Sequence, residues 1–210
     1  MRVGISLNEV VRGFLKQFIL TYSKYIDDLY DEYKETPIEN LDLIEYLNIL
    51  YEKKNEKIRE KGGMLLTPKF KNVDDLNRFL YIQAPLEIFG YSDQIHDDIM
   101  VHINKFAMDL EDDELGEIKI VVNEHSKAIS GSLFFLSKLG STIRKYEFVK
   151  TIDEMWNSVD VLITANPNEL EKKPKNKKSV KVLTSYNEKI DADITITKFN
   201  EINKKIKLIN

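Results

Sequence analysis

Apolar residues follow two different spacings along this chain, and the change between them divides the sequence. Residues 2–7 form a short apolar run that is typical of a buried strand. Between residues 9 and 115, apolar side chains recur at three- and four-residue steps, which is typical of amphipathic helices. The last of these helices carries Ile99, Ile103 and Leu110 on one face, and Ser92 is predicted to cap it.

After residue 116, short β-branched runs alternate with short helical patterns. Thr151 precedes one helix as an N-cap, Asn166 precedes another with proline at its first position, and Thr197 is predicted to cap the closing helix. This alternation predicts an α/β fold with a doubly wound parallel sheet. Residues 1–8 and 116–210 would form this core, and residues 9–115 an all-helical, cap-like insertion after the first strand. Strands are predicted at residues 118–122, 146–149, 161–163, 180–183 and 194–196.

Composition excludes several classes of function. The chain has 31 basic and 35 acidic residues, a net charge of −4, so the basic surface of a sequence-specific nucleic-acid binder is not expected. It contains no cysteine, which excludes disulfides, thiolate zinc sites and a cysteine nucleophile, and favours a reducing compartment. No apolar run approaches the roughly 18 residues needed to span a bilayer, so no membrane contact is predicted.

Chemistry in an open parallel sheet is expected where the strands end, because the ligand crevice lies outside their carboxyl ends. Polar or small residues follow three of the predicted strands, and only one of them, a glutamate, is ionisable. They are Ser6, Asn8 and Glu9 after the first strand, Asn123 after the second, and Thr164, Ala165 and Asn166 after the fourth.

Three segments resemble the haloacid dehalogenase (HAD) superfamily, especially its nucleotidase-like phosphohydrolases. Residues 2–11, RVGISLNEVV, are similar to the family's first motif, an apolar strand that ends in two aspartates one residue apart. Residues 160–167, DVLITANP, are similar to the fourth motif, and residues 181–187 resemble the terminal strand. The helical block after the first strand is similar to the family's cap. The resemblance implies a HAD-like, Rossmannoid sheet.

The family's catalytic groups are absent from the matching positions. Active members use the first aspartate as nucleophile, the second as general acid and base, and a further aspartate to hold magnesium. Here Ser6, Asn8 and Ala165 stand at those positions, and Asn123 falls near the family's small hydroxyl residue. A serine without an adjacent base is a poor nucleophile, and magnesium needs anionic oxygens. We therefore predict a protein with no catalysis, no metal and no cofactor.

Two alternatives remain open in which the strand ends are functional. In the first, misplaced carboxylates make the chain a magnesium-dependent 5'-nucleotidase-like phosphohydrolase. In the second, the chain binds a nucleotide or phosphate without turnover, through Lys138, which matches the family's phosphate-binding lysine, and the helix start at Asn166. Simple capping is the plainer interpretation of Asn166.

A third set of residues has the types found in metal sites. His96, Asp97, Asp98 and His102 could hold a metal, but only Asp98 and His102 share a helix face, so we expect a solvated polar surface.

Charged segments suggest self-association, since an acidic face and a basic loop on one chain suit head-to-tail packing into a ring. The sequence also resembles degenerate HAD-like proteins of crAss-like bacteriophages. That resemblance implies a ring component of the portal vertex, neck or tail of a virion, made in the host cytoplasm, whose partners are copies of itself and other phage portal and tail proteins. The candidate interface residues are Lys172, Lys173, Lys175, Lys177, Lys178, Asp109, Asp112 and Asp113.

Overall fold

A single parallel sheet forms the centre of the fold. A computed structural model describes residues 1–25, 77–112, 114, 116–184 and 187–206. The sheet has six strands in the order β3-β2-β1-β4-β5-β6, and every neighbouring pair is parallel. The predicted fold class, an α/β fold with a doubly wound parallel sheet, is therefore confirmed. The strands are β1 (Arg2–Ser6), β2 (Glu117–Asn123), β3 (Tyr146–Val149), β4 (Val161–Thr164), β5 (Lys178–Val182) and β6 (Ile194–Ile196).

Strand β1 lies at the middle of the sheet, between β2 and β4. Ile5 pairs in register with Ile120 on one side and Ile163 on the other, and all three are fully buried. Beside it, a Cβ atom on Gly4 would lie 2.5 Å from Cγ1 of Val159, so only glycine allows this close packing. A central strand that is buried on both faces explains why the segment is apolar at nearly every position.

Among the described residues that lie between β1 and β2 along the chain, the regular elements are helices. None of the helices that the structure describes is long and apolar enough to cross a membrane. The α-helices are α1 (Phe14–Tyr25), α2 (Ile99–Asp112), α3 (Ile129–Ser137), α4 (Ile152–Ser158), α5 (Pro167–Glu171) and α6 (Ile202–Lys205). Two π-helices, Phe79–Gln83 and Leu86–Gly90, and two 3₁₀ turns, Ser126–Ala128 and Phe199–Glu201, complete the set in these ranges.

The chain divides into two compact units, and the first contains the whole sheet. It comprises residues 1–13, 93–129 and 136–210. Helix α2 belongs to this unit, although the predicted insertion extended to residue 115. The reason is its apolar stripe: Ile103 and Phe106 are buried, and the Phe106 ring packs edge-on against Phe199 at 6.1 Å.

The second unit comprises residues 14–92 and 130–135, and aromatic contacts hold it together. The ring of Phe14 lies 5.3 Å from that of Phe89, and Phe18 contacts Phe79 edge-on. Residues 79–83 and 86–90 are π-helical. A large part of the predicted helical insertion, residues 26–76, lies outside the described residues.

Four predicted helix caps can be compared with the structure, and two are confirmed. The Thr151 hydroxyl accepts the N–H of Glu154 at 3.1 Å, and the Asn166 side chain accepts the N–H of Asn168 at 2.9 Å. The other two are wrong, because their hydroxyls donate instead. Ser92 donates to the carbonyl of Ile88 and α2 begins only at Ile99, while Thr197 donates to the carboxylate of Glu201.

Candidate functional site

The carboxyl ends of β2, β1 and β4 are neighbours, so their polar residues meet at one edge of the sheet. Ser6 is the last residue of β1 and is 4% exposed, and Asn123 is the last residue of β2 and is half-buried. Ala165 follows β4 and is fully buried. The structure thus brings the predicted positions Ser6, Asn8, Asn123 and Ala165 to the same edge.

A buried arginine dominates this edge. The side chain of Arg12 is fully buried, and its Nε donates to Oδ1 of Asn8 at 2.9 Å. Its Nη2 donates to the same oxygen and forms an ion pair with Oε1 of Glu124, whose side chain is 4% exposed. The amide of Asn8 donates to the same carboxylate oxygen at 3.1 Å. Asn8, Arg12 and Glu124 are hereafter called the Arg12 cluster.

A tight turn after β1 places Arg12 beside Asn8. The N–H groups of Val11 and Arg12 both donate to the carbonyl of Leu7, and the N–H of Glu9 donates to the carbonyl of Arg12 at 2.8 Å. Glu9 adopts a left-handed conformation with φ of 60°, which costs a non-glycine residue about 1 kcal/mol or more. The strained residue lies within the turn that brings the guanidinium of Arg12 back to the end of β1.

Burial has the largest effect on the pKa of Arg12. Desolvation lowers the pKa of Arg12 to about 9, and the negative charge of Glu9 partly offsets this. The guanidinium is therefore charged at neutral pH, and a charge this deeply buried must be paired. Glu124 supplies the opposite charge. The sequence alone indicates no role for Arg12 or Glu124, although the apolar residues before Arg12 are typical of a buried segment.

The residues of this edge do not fit the divalent cation that the HAD resemblance implies. Magnesium prefers several hard oxygen ligands, with one or two carboxylates among them. Ser6, Asn8 and Ala165 offer no carboxylate. The Asn8 oxygen and Oε1 of Glu124 both bind a cation already, the guanidinium of Arg12. No group of three or more metal-binding side chains occurs among the described residues.

A second buried carboxyl group, that of Glu169, lies at the end of β4. Glu169 is 3% exposed, and its Oε2 accepts the hydroxyl of Thr164 at 2.5 Å. Its Oε1 accepts the side-chain amide of Asn166 at 3.3 Å, and its backbone carbonyl accepts Nε1 of Trp156 at 2.9 Å. The sequence places Glu169 in the first turn of α5 and suggests only a helix-capping role for it.

Burial raises the pKa of Glu169, and the hydrogen bonds from Thr164, Ser6 and Asn166 oppose that rise without cancelling it. The carboxyl group therefore holds a proton more readily than an exposed glutamate. Because it interacts with Ser6, it places an acid–base group beside this serine, which was not predicted from the sequence.

The loop after β5 is fixed to the same edge. Asn187 is fully buried, and its side-chain amide donates to the carbonyls of Ala165 and Val182, both at 2.9 Å. The ammonium group of Lys181 is also buried and donates to the backbone carbonyl of Ile190 at 2.6 Å. These bonds use the backbone acceptor of Ala165, the position at which the family has a carboxylate.

The structure does not bring Lys138 and Asn166 together. Helix α3 starts near the carboxyl end of β2 and leads away from it for nine residues, about 13 Å. Lys138 follows its last residue, in the connection that returns to the start of β3. Asn166 caps α5, a helix of only five residues, and its amide contacts the carboxyl group of Glu169.

Most of the predicted basic interface is paired within the chain. Lys173 and Lys178 form ion pairs with Asp193, and Lys177 forms one with Asp160. Hydrogen bonds from Arg2 lower the pKa of Asp160 well below its usual range, which is typical of a carboxylate held in ion pairs. Lys172 and Lys175 are exposed.

Of the predicted acidic interface residues, Asp109 accepts a hydrogen bond of 2.5 Å from the side-chain amide of Asn203, and Asp112 is exposed. Asp113 lies outside the described residues. Among the predicted interface residues that the structure describes, Lys172, Lys175 and Asp112 are thus exposed and have no ion pair within this part of the chain.

Comparisons with known proteins find similarity only among solved structures. No protein-family model matches the chain, and neither does any curated protein. L-2-haloacid dehalogenase from Xanthobacter autotrophicus, with chloropropionic acid covalently bound, is 8% identical over 100% of this chain and 99% of its own, with a TM-score of 0.47. The putative HAD-hydrolase YfnB from Bacillus subtilis, bound to magnesium, is 12% identical over 98% of both chains, with a TM-score of 0.43.

Replacing Arg12 tests whether the Arg12 cluster stabilises the fold. Arg12→Met leaves the Glu124 carboxylate buried without its partner, so we expect the free energy of unfolding in urea to fall by about 3–5 kcal/mol. Adding Glu124→Leu should recover most of this loss, because an apolar pair avoids the buried charge. Arg2→Met is the matched control, since its ion pair with Asp160 is exposed to solvent and should contribute much less to stability. Equal losses in Arg12→Met and Arg2→Met would contradict this role.

The raised pKa of Glu169 makes stability depend on pH. The unfolded chain titrates this group near 4.5, and the folded chain at a higher pH. Between the two values the folded state binds more protons, so stability falls as pH rises through the folded pKa. Glu169→Gln should therefore gain stability relative to wild type as pH rises above 4.5, whereas the exposed neighbour variant Glu171→Gln should not. A Glu169→Gln difference that is constant across urea unfolding curves at several pH values would refute this.

Proposed function

We propose that this chain is a catalytically inactive HAD-like protein that serves as a structural component of a bacteriophage virion, in a ring at the portal vertex, neck or tail. The observation that carries the first part is the Arg12 cluster at the end of β1. Its guanidinium binds the polar groups beside the strand end at which active members of the family hold a metal. The second part is supported by the sequence resemblance to proteins of crAss-like bacteriophages.

The chemistry of phosphoryl transfer supports the proposed loss of catalysis. That reaction depends on positioning and on positive charge that neutralises the transferred group. Here Ser6 replaces the nucleophile, Asn8 cannot exchange a proton, and the fixed charge of Arg12 is already neutralised by Glu124. The remaining carboxyl group, Glu169, is buried and accepts hydrogen bonds at both oxygens.

The proximity of Ser6 and Glu169 favours a second candidate, a hydrolase in which Glu169 acts as general base for the serine. A carboxyl group with a raised pKa is suited to that role. Against it, Ser6 and Glu169 are both almost fully buried, so a substrate would have to open the edge of the sheet to reach them.

Activity measurements separate these two candidates. With p-nitrophenyl phosphate and p-nitrophenyl acetate, and with or without magnesium, we expect wild-type rates equal to those of Ser6→Ala and Glu169→Gln. Magnesium should also leave the melting temperature of the wild type unchanged, because the Glu124 carboxylate at this edge is already paired with Arg12 and the Glu169 carboxyl group is buried and hydrogen-bonded. Turnover that disappears in either variant would establish an enzyme and overturn the first part of the proposal.

The structural role is tested on purified phage particles. Quantitative mass spectrometry should find the chain at a fixed copy number that is a simple multiple of the portal's rotational symmetry, as expected for a closed ring. The portal protein in the same particles is the internal standard. Absence of the chain from particles, or a variable amount of it, would refute a place in the virion.

Self-association is proposed to use the exposed charges that have no partner within the described part of the chain. These are Lys172 and Lys175 on the loop before β5, and Asp112 at the end of α2. Lys173, Lys177 and Lys178 are paired internally and contribute less, because a new partner would have to replace an existing ion pair.

A further inference from the structure

A cavity of about 520 Å³ lies within the first unit, at the amino end of β2. It is bounded by the second half of α2, by Glu117 and Ile118 at the start of β2, and by residues 142–145, which lead into β3. All six strands are parallel, so this edge of the sheet is opposite the edge that holds the Arg12 cluster. The volume is in the range of sites for small organic molecules.

Two side-chain interactions hold the segment that forms one wall of the cavity. Oδ1 of Asn104, on α2, accepts the N–H of Thr142 at 2.9 Å and the hydroxyl of the same residue at 3.1 Å. At the other end of the segment, Lys145 forms an ion pair with Glu117. The wall is therefore in position before a ligand binds, which lowers the cost of ordering the site.

The floor of this cavity is apolar. Ala107, Ile118 and Ile143 form it and are 6%, 8% and 4% exposed. Met108 lies at the rim and is 56% exposed, and its unbranched thioether side chain can adapt to the shape of a ligand. A surface of this kind favours the hydrocarbon part of a ligand, because contact with it removes apolar area from water.

The charged side chains that line the cavity balance one another, two acidic against two basic. Glu117 and Lys145 form an ion pair with each other. The other two, Glu111 and Arg144, are exposed, and neither has an ion-pair partner within the described ranges. One negative and one positive side chain are therefore available to a ligand in the same cavity.

The end of α2 gives a second reason to expect a positive group beside Glu111. The last turn of this helix contains Asp109, Glu111 and Asp112 and no basic residue. The last carbonyl groups of a helix carry partial negative charge, so acidic side chains there are unfavourable and a cation is favourable. A ligand ammonium group beside Glu111 would offset both.

We propose that the cavity binds a small zwitterion with an apolar body, the chemistry of an apolar α-amino acid. Glu111 pairs with the ammonium group, Arg144 pairs with the carboxylate, and the apolar floor holds the side chain of the ligand. A guanidinium can form two parallel hydrogen bonds with a carboxylate, which favours this assignment of the two charges. The site does not depend on the proposed virion role or on the loss of catalysis, because none of its residues belongs to the Arg12 cluster.

Titrations of the full chain followed by NMR, with four probes, test each part of the ligand separately. L-Leucine should bind saturably and shift the backbone amide signals of residues that line the cavity. Isocaproate, which is leucine without its ammonium group, and isoamylamine, which is leucine without its carboxylate, should each bind about threefold to fivefold more weakly, because each loses one exposed ion pair. Glycine keeps both charges but has no apolar body, so it should bind at least about tenfold more weakly than leucine.

Two variants assign the charges to their residues. Arg144→Met should weaken leucine binding about threefold to fivefold and leave the binding of isoamylamine, which has no carboxylate, unchanged. Glu111→Gln should weaken leucine binding to a similar extent and leave the binding of isocaproate unchanged. The matched controls are Lys150→Met, an exposed lysine after β3, and Glu171→Gln, an exposed glutamate at the end of α5, and both should bind leucine as the wild type does.

Several results would overturn this inference. These are the absence of saturable leucine binding, binding of isocaproate or isoamylamine as tight as that of leucine, and amide shifts centred away from the cavity. Unchanged leucine binding in either Arg144→Met or Glu111→Gln would also overturn it. Both substituted side chains are exposed, so the fold should tolerate these changes, and the NMR spectrum of each variant establishes that it is folded.

Discussion

A guanidinium that is fully removed from water must be paired, and that requirement determines how the end of β1 is built. Arg12 meets it with Asn8 from its own turn and with Glu124 from the loop after β2. The pairing connects the central strand to its neighbour beyond the point where the main-chain hydrogen bonds of the sheet stop. The left-handed Glu9 is part of the same turn, since its N–H closes onto the carbonyl of Arg12.

The other strand ends satisfy their polar groups in a similar way. Glu169 accepts hydrogen bonds at the end of β4, and Asn187 joins the ends of β4 and β5 through two backbone carbonyls. In an enzyme of this architecture such groups would face a substrate. Here they contact one another, so the polar groups that follow these strands already have partners within the chain.

Much of the fold could be predicted from the sequence, because it depends on local patterns. The apolar runs at β3 and β6 and the caps at Thr151 and Asn166 need only their neighbours in the chain. The Arg12 cluster could not be predicted in this way, because Glu124 is separated from Arg12 by 112 residues. The lysines before β5 show the same limit. Their number is visible in the sequence, whereas the aspartate that pairs with Lys173 and Lys178 follows β5, and its position beside them is known only from the fold.

The Arg12 cluster gives this edge a cation that is part of the chain. A bound metal stabilises a protein by an amount that varies with its free concentration and its dissociation constant. A guanidinium attached to the backbone has no free concentration, and neither chelators nor competing ions can remove it. The cohesion of the strand ends is therefore independent of the supply of divalent ions, and it is established once, when the chain folds.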